Sequence, residues 1–572
     1  MTRVRQSLNR LSYLYYKAKE SDEALNTESQ NAVETLEKVV KAIHELQKKP
    51  PGDANSFFNL AGYHGEPFQG QGTTDPKWWG GYCHHANVLF PTWHRMYLLR
   101  YEDAMRTVPG CEDVALPFWD ECELDQNKKP MPIPEVLTRE KFRLGNQDIP
   151  NPLFSYKLQK ELKHEVDGAA HRYSKPLDYQ TVRYPRSGLV GNAWDRLATR
   201  SQNSDFAHHD WCTILLNRNV SSWLQGNIKI TRDGIKETKI ADTTSVLGRY
   251  NYCLDASTYT IFSNVTSQKN APIKTHPPPT SLESPHNAMH LAVGGFYQPG
   301  VYNANEIAGA NGDMGDNETA SFDPIFFFHH CFVDYVFWLW QRRHGSTTNL
   351  VIDPNDRGAV LQEGVGSMPP KTKLNMDTDL QPFKKPDQTY WKSKDLVNIE
   401  KIEGDRGYKY GPGSLDHLAS PHKPIASPIR GPEKGDDKVK KVKKITVNRA
   451  VHRGSFVIRM FAQPPGKMEL IEIGREPVLS RWDVEDCDNC RDKLDVDLLV
   501  PLTGGMLDYL GEENKDGEYG EKITYLGAVQ SYGQMDFTAN LQDMVHNAAA
   551  ENLQDIHPSA VKLVQDVDLP LR

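Results

Sequence analysis

The sequence predicts a mainly α domain with long loops, followed by a smaller β-rich domain. Two observations support this prediction: apolar residues recur at steps of three and four in several early segments, and they alternate with period two after residue 445. A third observation is the length of 572 residues, which exceeds that of one average domain. The 37 prolines and 41 glycines indicate long irregular connections between the regular elements.

The first helix that the pattern predicts covers 29–49. Its apolar residues share one stripe of the helix and are Val33, Leu36, Val40, Ile43 and Leu46. The Pro50-Pro51 pair ends this helix, because proline lacks the backbone N–H that a continuing helix needs.

Three further helices are predicted from apolar runs that begin beside a proline. Trp93–Met105 follows Pro91 and mixes Met and Leu with Arg. Ser284-Pro285 begins the helix that contains HNAMHLAV, since proline is favoured in the first turn. Pro324 has the same role for an aromatic helix that runs to about Arg342.

The chain divides into three parts by composition. Residues 1–411 form the predicted helical domain, in which 110–200 and 345–405 are rich in Pro, Asp and Lys and indicate loops with short elements. Residues 412–444 contain five prolines and the basic run DDKVKKVKK, which is typical of a protease-sensitive linker. Residues 445–572 form the predicted β-rich domain.

Two strands and a helix are predicted in this last part. Apolar residues alternate from Phe456 to Phe461 and again in KLDVDLLVPL, as in half-buried strands. A helix from Asn540 to Ile556 is expected to close the domain.

Charge and composition exclude several classes of partner. A net charge of −8 argues against nucleic acid. No apolar stretch reaches the ~20 residues of a membrane span, and the longest, FFFHHCFVDYVFWLW, contains two histidines and an aspartate.

Eight cysteines in a chain of this size do not form a disulfide framework. We see no signal peptide in MTRVRQSLNRLSYLYY, so an intracellular, cytoplasmic location is expected.

Six histidines in two groups of three are the main candidates for a functional site. We call them the first trio (His64, His85, His94) and the second trio (His286, His290, His330). Neutral imidazole binds copper, zinc, iron and nickel. Two trios without an intervening Cys or carboxylate would leave open positions on each ion, which favours a paired metal centre acting on a small molecule over a closed structural site.

Each motif also has an ordinary structural interpretation. His286 and His290 are four residues apart, so on a helix their Cβ atoms stand about 6 Å apart on one side, yet they could be two unremarkable polar residues. His330 could be a core histidine bonded to a carbonyl oxygen, and at most one of His329 and His330 is expected to bind the same ion. His84 is expected to face solvent or to lie next to the ligands rather than among them.

Three segments carry a resemblance to a known family. CHHANVLFPTWHR, HNAMHLAVGG and DPIFFFHHCFVDYVFWLWQ resemble the two copper-binding signatures of type-3 dicopper proteins, and among these the chain is most similar to fungal tyrosinases. The GYKYG segment around Tyr408 and Tyr410 and the C-terminal CDNC agree with this resemblance. It implies a four-helix bundle that holds two copper ions at its centre, one on each trio. It also implies a thioether bond between Cys83 and His85.

The resemblance gives roles to four more residues. Glu283 and Asn287 are implied to hold a water that takes the proton of a phenol, although Glu283 could equally be a helix-start carboxylate. Cys487 and Cys490 form a CxxC that is implied to deliver copper, for which soft thiolates are suited. Asp334, one turn past His330, is expected to be a structural acid rather than a ligand.

The function that these residues imply is ortho-hydroxylation of monophenols and oxidation of o-diphenols to o-quinones with O2, in a latent form whose C-terminal domain covers the site. The alternatives are a catechol oxidase without the first activity, a hemocyanin-like oxygen carrier and, from another class, a zinc hydrolase. The expected partners are O2 and small phenols, and the sequence leaves a homo-oligomer open.

Overall fold

The structure is a computed structural model that describes most of the chain. The described residues are 3–20, 26–65, 81–163, 171–226, 245–269, 280–296, 307, 309–365, 368–420, 439–450, 452, 454–466, 471–482, 484, 488–510, 523–531, 534–537 and 565–566. The central part of the predicted linker (421–438), Cys487 and the predicted helix from Asn540 to Ile556 lie outside them.

The N-terminal domain is mainly helical, as predicted. Its helices are α1 (Leu8–Glu20), α2 (Thr27–Lys48), α3 (Phe57–Gly65), α4 (Phe90–Met105), α5 (Ala193–Asp205), α6 (His209–Gln225), α7 (Val246–Cys253), α8 (Tyr259–Ser263), α9 (Val265–Gln268), α10 (Glu283–Gly294) and α11 (Ile325–Arg343). Its strands are short and are β1 (Arg3–Arg5), β2 (Lys141–Leu144), β3 (Gln147–Pro150), β4 (Val360–Leu361), β5 (Thr372–Lys373), β6 (Asp379–Lys384), β7 (Tyr390–Lys392) and β8 (Tyr408–Tyr410).

Helices α4, α10 and α11 form the centre of this domain. Helix α11 packs against α4, which also contacts α2, while α10 packs against α6 and α7. Nearly every side chain of α11 before Arg342 is buried, which is typical of a helix surrounded by protein on all sides. The prolines begin these helices as predicted, with Pro91 in the first turn of α4 and Pro324 preceding α11.

The helices α5 to α9 were not predicted, and α5 shows why such a helix is hard to find. Its buried residues are the polar Asp195 and Thr199, whereas Trp194 and Leu197 are 82 % and 60 % exposed. The polar side of α5 therefore faces the protein, which inverts the pattern that identifies a surface helix from its sequence.

The two ends of the N-terminal domain meet at a buried charge network. Strand β1 pairs with β8 in parallel, so Arg5 lies opposite Tyr410. The Asp334 carboxylate contacts the Arg95 Nε at 2.6 Å and the Arg5 Nη1 at 3.0 Å, and it accepts hydrogen bonds from the hydroxyls of Tyr410 and Tyr408. These contacts agree with the expectation that Asp334 is a structural acid.

We expect Asp334→Asn to lower the free energy of unfolding by about 3 kcal/mol, because it leaves buried guanidinium charge without its counter-ion. Urea-induced unfolding measures the change. The control is Glu28→Gln, which removes an ion pair with Arg10 whose side chains are more than half exposed and should cost at most about 1 kcal/mol. Equal midpoints for the two variants would contradict the role given to Asp334.

The C-terminal domain is a sandwich of two antiparallel sheets. Its elements are β9 (Val439–Asn448), β10 (Phe456–Gln463), β11 (Ile471–Val478), α12 (Asp488–Arg491), β12 (Asp495–Thr503), α13 (Gly504–Leu510), β13 (Thr524–Ser531), β14 (Gln534–Phe537) and β15 (Gln565–Asp566). One sheet has the order β11-β10-β13-β14 and the other β12-β9-β15. Their apolar faces share one core, which includes Ile445, Ile458 and Val500.

The bounds of the predicted linker need correction on both sides. Residues 439–444 belong to β9 and pair with β12, and Leu415 and Leu418 pack into the core of the helical domain. Of the predicted range 412–444, residues 412–420 and 439–444 belong to the two folded parts, and 421–438 lie outside the described residues. Within the described residues, no helix is both long and apolar enough to cross a membrane.

Candidate metal centre

The first trio comes from two helices and the loop between them. His64 lies in the last turn of α3, His85 on the loop, and His94 one turn into α4. One nitrogen of each lies within 4.8 Å of the other two, and the ring centroids are 5.2–5.5 Å apart. The His94 Nδ1 donates to the Phe90 carbonyl oxygen at 2.8 Å, which leaves its Nε2 for the trio.

The second trio comes from α10 and α11. His286 and His290 stand one turn apart on α10, and His330 is in the second turn of α11. The three Nε2 atoms converge, at 3.1 Å between His290 and His286, 3.2 Å between His286 and His330, and 3.3 Å between His290 and His330. The other nitrogens of the α10 pair have oxygen partners: His290 Nδ1 bonds to the Met314 carbonyl at 2.8 Å, and His286 Nδ1 to Asn287 Oδ1 at 3.0 Å.

The two trios face each other across a short gap. The rings of His94 and His330 are stacked with centroids 4.7 Å apart, and those of His85 and His286 are 5.7 Å apart. Two ions bound on the two sides would therefore be neighbours. This is the paired arrangement that the spacing of the histidines predicted.

The chemistry of both trios fits metal ions. In the first trio, both nitrogens of His64 and the Nε2 atoms of His85 and His94 are buried and have no hydrogen-bond partner among the residues that the structure describes. Imidazoles bind a tetrahedral zinc ion at about 2.0–2.1 Å, which places two such nitrogens about 3.3 Å apart, as in the second trio. Burial lowers the pKa of His94 to about 3 and holds the pKa of His290 well below its usual value, so these rings are neutral and each can offer a lone pair to a metal ion.

Glu283 connects the two halves of the centre. It is the first residue of α10, and its carboxylate accepts the backbone N–H of Ala86, the residue after His85, at 2.8 Å and that of Val265 at 3.0 Å. Burial raises the pKa of Glu283 to about 7, although these two N–H donors oppose the shift. Ala86 has a φ of 56°, in the left-handed region that non-glycine residues seldom adopt, and the Glu283 contact holds it there.

Three of the remaining candidates are among the described residues: His84, Cys83 and Cys490. His84 is buried, not solvent-facing, and its Nδ1 accepts from Asn87 Nδ2 at 3.2 Å, so it is not part of the first trio. Cys83 is buried two residues before His85, and Cys490 is buried in the C-terminal domain.

The C-terminal domain contacts the elements that carry the trios. Glu476 of β11 accepts from Ser284 Oγ at 2.9 Å and from Arg249 Nη1 at 3.0 Å, which joins it to α10 and α7. Arg481 Nη1 donates to the carbonyl oxygen of Gly65, the residue after His64, at 2.7 Å. Val478 packs in the core of its own domain.

Two residues near the centre, Glu121 and Arg481, could not be identified from the sequence. Glu121 bonds to His329, and Arg481 reaches the end of α3 from the other domain. The doubled histidine at 329–330 was a usable signal. Nothing near Glu121 or Arg481 in the sequence marks them as neighbours of the trios.

Comparison with known proteins agrees with this geometry. Residues 54–343 match the family model for the common central domain of tyrosinase. The chain is 43 % identical over 484 residues to the tyrosinase HcTyr2 of Hahella sp. strain CCB-MM4, covering 82 % of this chain and 84 % of that protein. It is 38 % identical over 504 residues to a tyrosinase of Aspergillus oryzae, covering 82 % and 86 %.

Solved structures show the same fold. A tyrosinase of Burkholderia thailandensis at low pH aligns with a TM-score of 0.72 and 36 % identity, covering 99 % of this chain and 100 % of that one. The holo-protyrosinase of Aspergillus oryzae aligns with a TM-score of 0.58 and 19 % identity, covering 93 % and 94 %, which concerns the fold alone. The chain therefore belongs to the tyrosinase family, copper-dependent oxidoreductases whose cofactor is a type-3 pair of copper ions.

Proposed function

We propose that the first and second trios hold the two copper ions of a tyrosinase, which hydroxylates monophenols at the ortho position and oxidises o-diphenols to o-quinones with O2. The observation that supports this most is the convergence of six imidazoles in two facing trios, of which all but the partly buried His85 are buried. When bound, the copper pair supplies the electron transfer to dioxygen that amino-acid side chains lack. The protein holds the imidazoles neutral and keeps the site dry.

Handling of the phenol proton falls to Glu283 and Asn287 in this proposal. A phenol has a pKa near about 10, so a base is needed to ionise it near neutral pH. Glu283 is a buried carboxyl four residues before Asn287, which puts both on one side of α10. Asn287 Oδ1 also accepts from His286 Nδ1, which keeps the opposite nitrogen of that ring unprotonated for a metal.

We expect the wild-type kcat/KM for a monophenol to rise with pH through about 7, since the pKa of Glu283 is about 7 and only the carboxylate accepts a proton. Glu283→Gln keeps an oxygen for the N–H groups of Ala86 and Val265 but removes the base, so kcat/KM should fall by roughly 100-fold. The rise with pH should disappear as well. An unchanged pH profile in this variant would rule out Glu283 as the base.

Latency is part of the proposal. The contacts of Glu476 and Arg481 with the trio-bearing elements support a C-terminal domain that covers the site. Cleavage between 421 and 438, inside the predicted linker, would allow this domain to leave. Two further roles remain proposals: a thioether between Cys83 and His85, and copper delivery by Cys487 and Cys490.

The experiment that tests the function measures copper content and oxidation of tyrosine and catechol, before and after limited proteolysis of the copper-loaded protein. Two copper ions per chain and activity on both phenols after cleavage are expected. Oxidation of catechol alone would instead identify a catechol oxidase, and reversible oxygenation without turnover an oxygen carrier. Zinc in place of copper in the purified protein would contradict the proposal altogether.

Expectations about assembly and location stay predictions. The exposed Trp194 and Leu197 on one side of α5 support self-association of this chain, since large exposed apolar patches are typical of interfaces. The acidic net charge supports the expectation that nucleic acid is not a partner. An intracellular location rests on the sequence alone.

A further inference from the structure

A fourth imidazole lies beside the second trio. One nitrogen of each of His286, His290, His329 and His330 lies within 4.8 Å of the other three. The ring of His329 stacks against that of His286 with centroids 5.3 Å apart, and meets that of His290 edge-on at 4.9 Å. All four side chains are buried. This half of the centre therefore offers four imidazoles, although the family resemblance implies three ligands.

Glu121 and Tyr250 fix the orientation of the His329 ring. His329 Nδ1 lies 2.5 Å from Glu121 Oε1, and the Tyr250 hydroxyl donates to Glu121 Oε2 at 2.8 Å. Glu121 is 2 % exposed, and in the described part of the chain no Lys or Arg forms an ion pair with it. A buried carboxylate is costly in its charged form unless a cation is close. A metal ion on His329 would supply that cation.

The opposite nitrogen of His329 is free to bind such an ion. His329 Nε2 is buried and has no hydrogen-bond partner among the described residues. When Nδ1 donates its proton to Glu121, Nε2 carries the lone pair. A carboxylate on one ring nitrogen is the arrangement that commonly orients metal-binding histidines. A core histidine satisfied by Glu121 would explain the first nitrogen but would leave the second without a partner.

The doubled histidine beside the first trio differs from this one in its partner and its position. His84 precedes His85 as His329 precedes His330, and it is also buried. Its Nδ1 contacts the amide of Asn87 rather than a carboxylate, and it is not among the clustered nitrogens of the first trio. The pairing with Glu121, not the doubled histidine as such, distinguishes His329.

We propose that His329, oriented by Glu121, is an auxiliary copper ligand. It binds the copper ion of the second trio in the state in which the first trio has not yet bound its own ion. The proposal rests on the copper-binding role proposed above for this trio. Four nitrogen ligands suit a single Cu²⁺ ion, which favours tetragonal coordination by nitrogen and oxygen. His329 would therefore act in loading of the centre, and Glu121 would act through it as a positioning residue.

The test uses full-length protein in which the first trio is disabled by His64→Ala and His94→Ala, so that one Cu²⁺ ion binds at the second trio. Added CuCl2 is the probe, and pulsed electron paramagnetic resonance counts the imidazoles on the ion. Competition with a chelator gives its affinity. Four imidazoles are expected in this parent protein. His329→Asn should leave three and weaken binding by about 10- to 100-fold.

Two further variants complete the test. Glu121→Leu keeps His329 but removes its orienting partner, so the affinity should fall between those of the parent and His329→Asn. His84→Asn is the matched control and should change neither the count nor the affinity. His329→Gln gives the same comparison if the Asn variant does not fold.

Three imidazoles in the parent protein, or an unchanged affinity in His329→Asn, would overturn this inference and leave the proposed function standing. A parent protein that binds no Cu²⁺ would overturn the copper-binding role of the second trio, and the inference with it.

Discussion

Replacing His290 by Ala is expected to lower the copper content of the loaded protein from two ions to one per chain, and to reduce phenol oxidation by at least about 1,000-fold, because the metal pair carries the redox chemistry. His290 Nε2 lies 3.1 Å and 3.3 Å from the matching atoms of His286 and His330, and the Met314 carbonyl holds its ring in place. Metal analysis and a catechol assay on the protease-treated enzyme measure both effects.

His417→Ala is the control for this variant. His417 is exposed and its ring bonds to the Ser414 carbonyl, so its loss should change neither copper content nor activity. If His290→Ala kept two copper ions and full activity, the second trio would not be the binding site. An inactive variant that still bound two ions would show that His290 serves the reaction and not the binding.

The second trio could be predicted in part from sequence because the geometry of its α10 pair is local. His286 and His290 share one side of a helix as a matter of spacing, and Pro324 marks the start of the helix that carries His330. Local spacing could not predict the first trio, since His64 and His85 belong to separate segments. Only the family resemblance joined those segments before the structure did.

Contacts between distant segments could not be predicted. Glu121 and His329 are 208 residues apart in the chain, and Arg5 and Asp334 are 329 apart. Each of these contacts is made by a single side chain on each element. Such a contact leaves no periodic pattern in the sequence. The orientation of His329, and with it the fourth imidazole, therefore emerged only from the folded chain.

The basic run near residue 440 shows a second reason why part of the fold could not be predicted from the sequence. Its lysines indicated a solvated linker, yet Val442 and Ile445 lie buried at a spacing of three in β9, and Lys444 pairs with Asp497 of β12. A strand at this position is stabilised by cross-strand partners that lie about fifty residues later in the sequence. A high local charge is therefore compatible with a strand that is paired within a folded domain.

Glu476→Ala is expected to activate the uncleaved enzyme. Glu476 and Arg249 form an ion pair across the domain boundary at 3.0 Å, and both residues are at most 5 % exposed. Removing one partner of a buried pair costs about 3–5 kcal/mol because the other charge stays buried and uncompensated. When the domains separate, water solvates the Arg249 charge. The substitution therefore destabilises only the covered state of the enzyme.

The size of the effect follows from this cost. A loss of about 3 kcal/mol changes the ratio of uncovered to covered enzyme by roughly 100-fold, at about 1.4 kcal/mol for each factor of ten. Catechol oxidation by full-length Glu476→Ala should rise by up to that factor, and limited proteolysis should then add little. The same assay on wild-type protein, before and after proteolysis, gives the lower and upper bounds of the activity.

Exchanging the charges of Glu476 and Arg249 distinguishes a specific role of their ion pair from general destabilisation of the domain interface. Arg249→Glu should activate the full-length enzyme as Glu476→Ala does, whereas the double variant Arg249→Glu with Glu476→Arg restores an ion pair and should recover much of the latency. Two active single variants whose double variant is equally active would show that the pair does not hold the domains together. Full latency in Glu476→Ala, with normal copper content and normal activity after cleavage, would show that the cover depends on other contacts, such as that of Arg481 with Gly65.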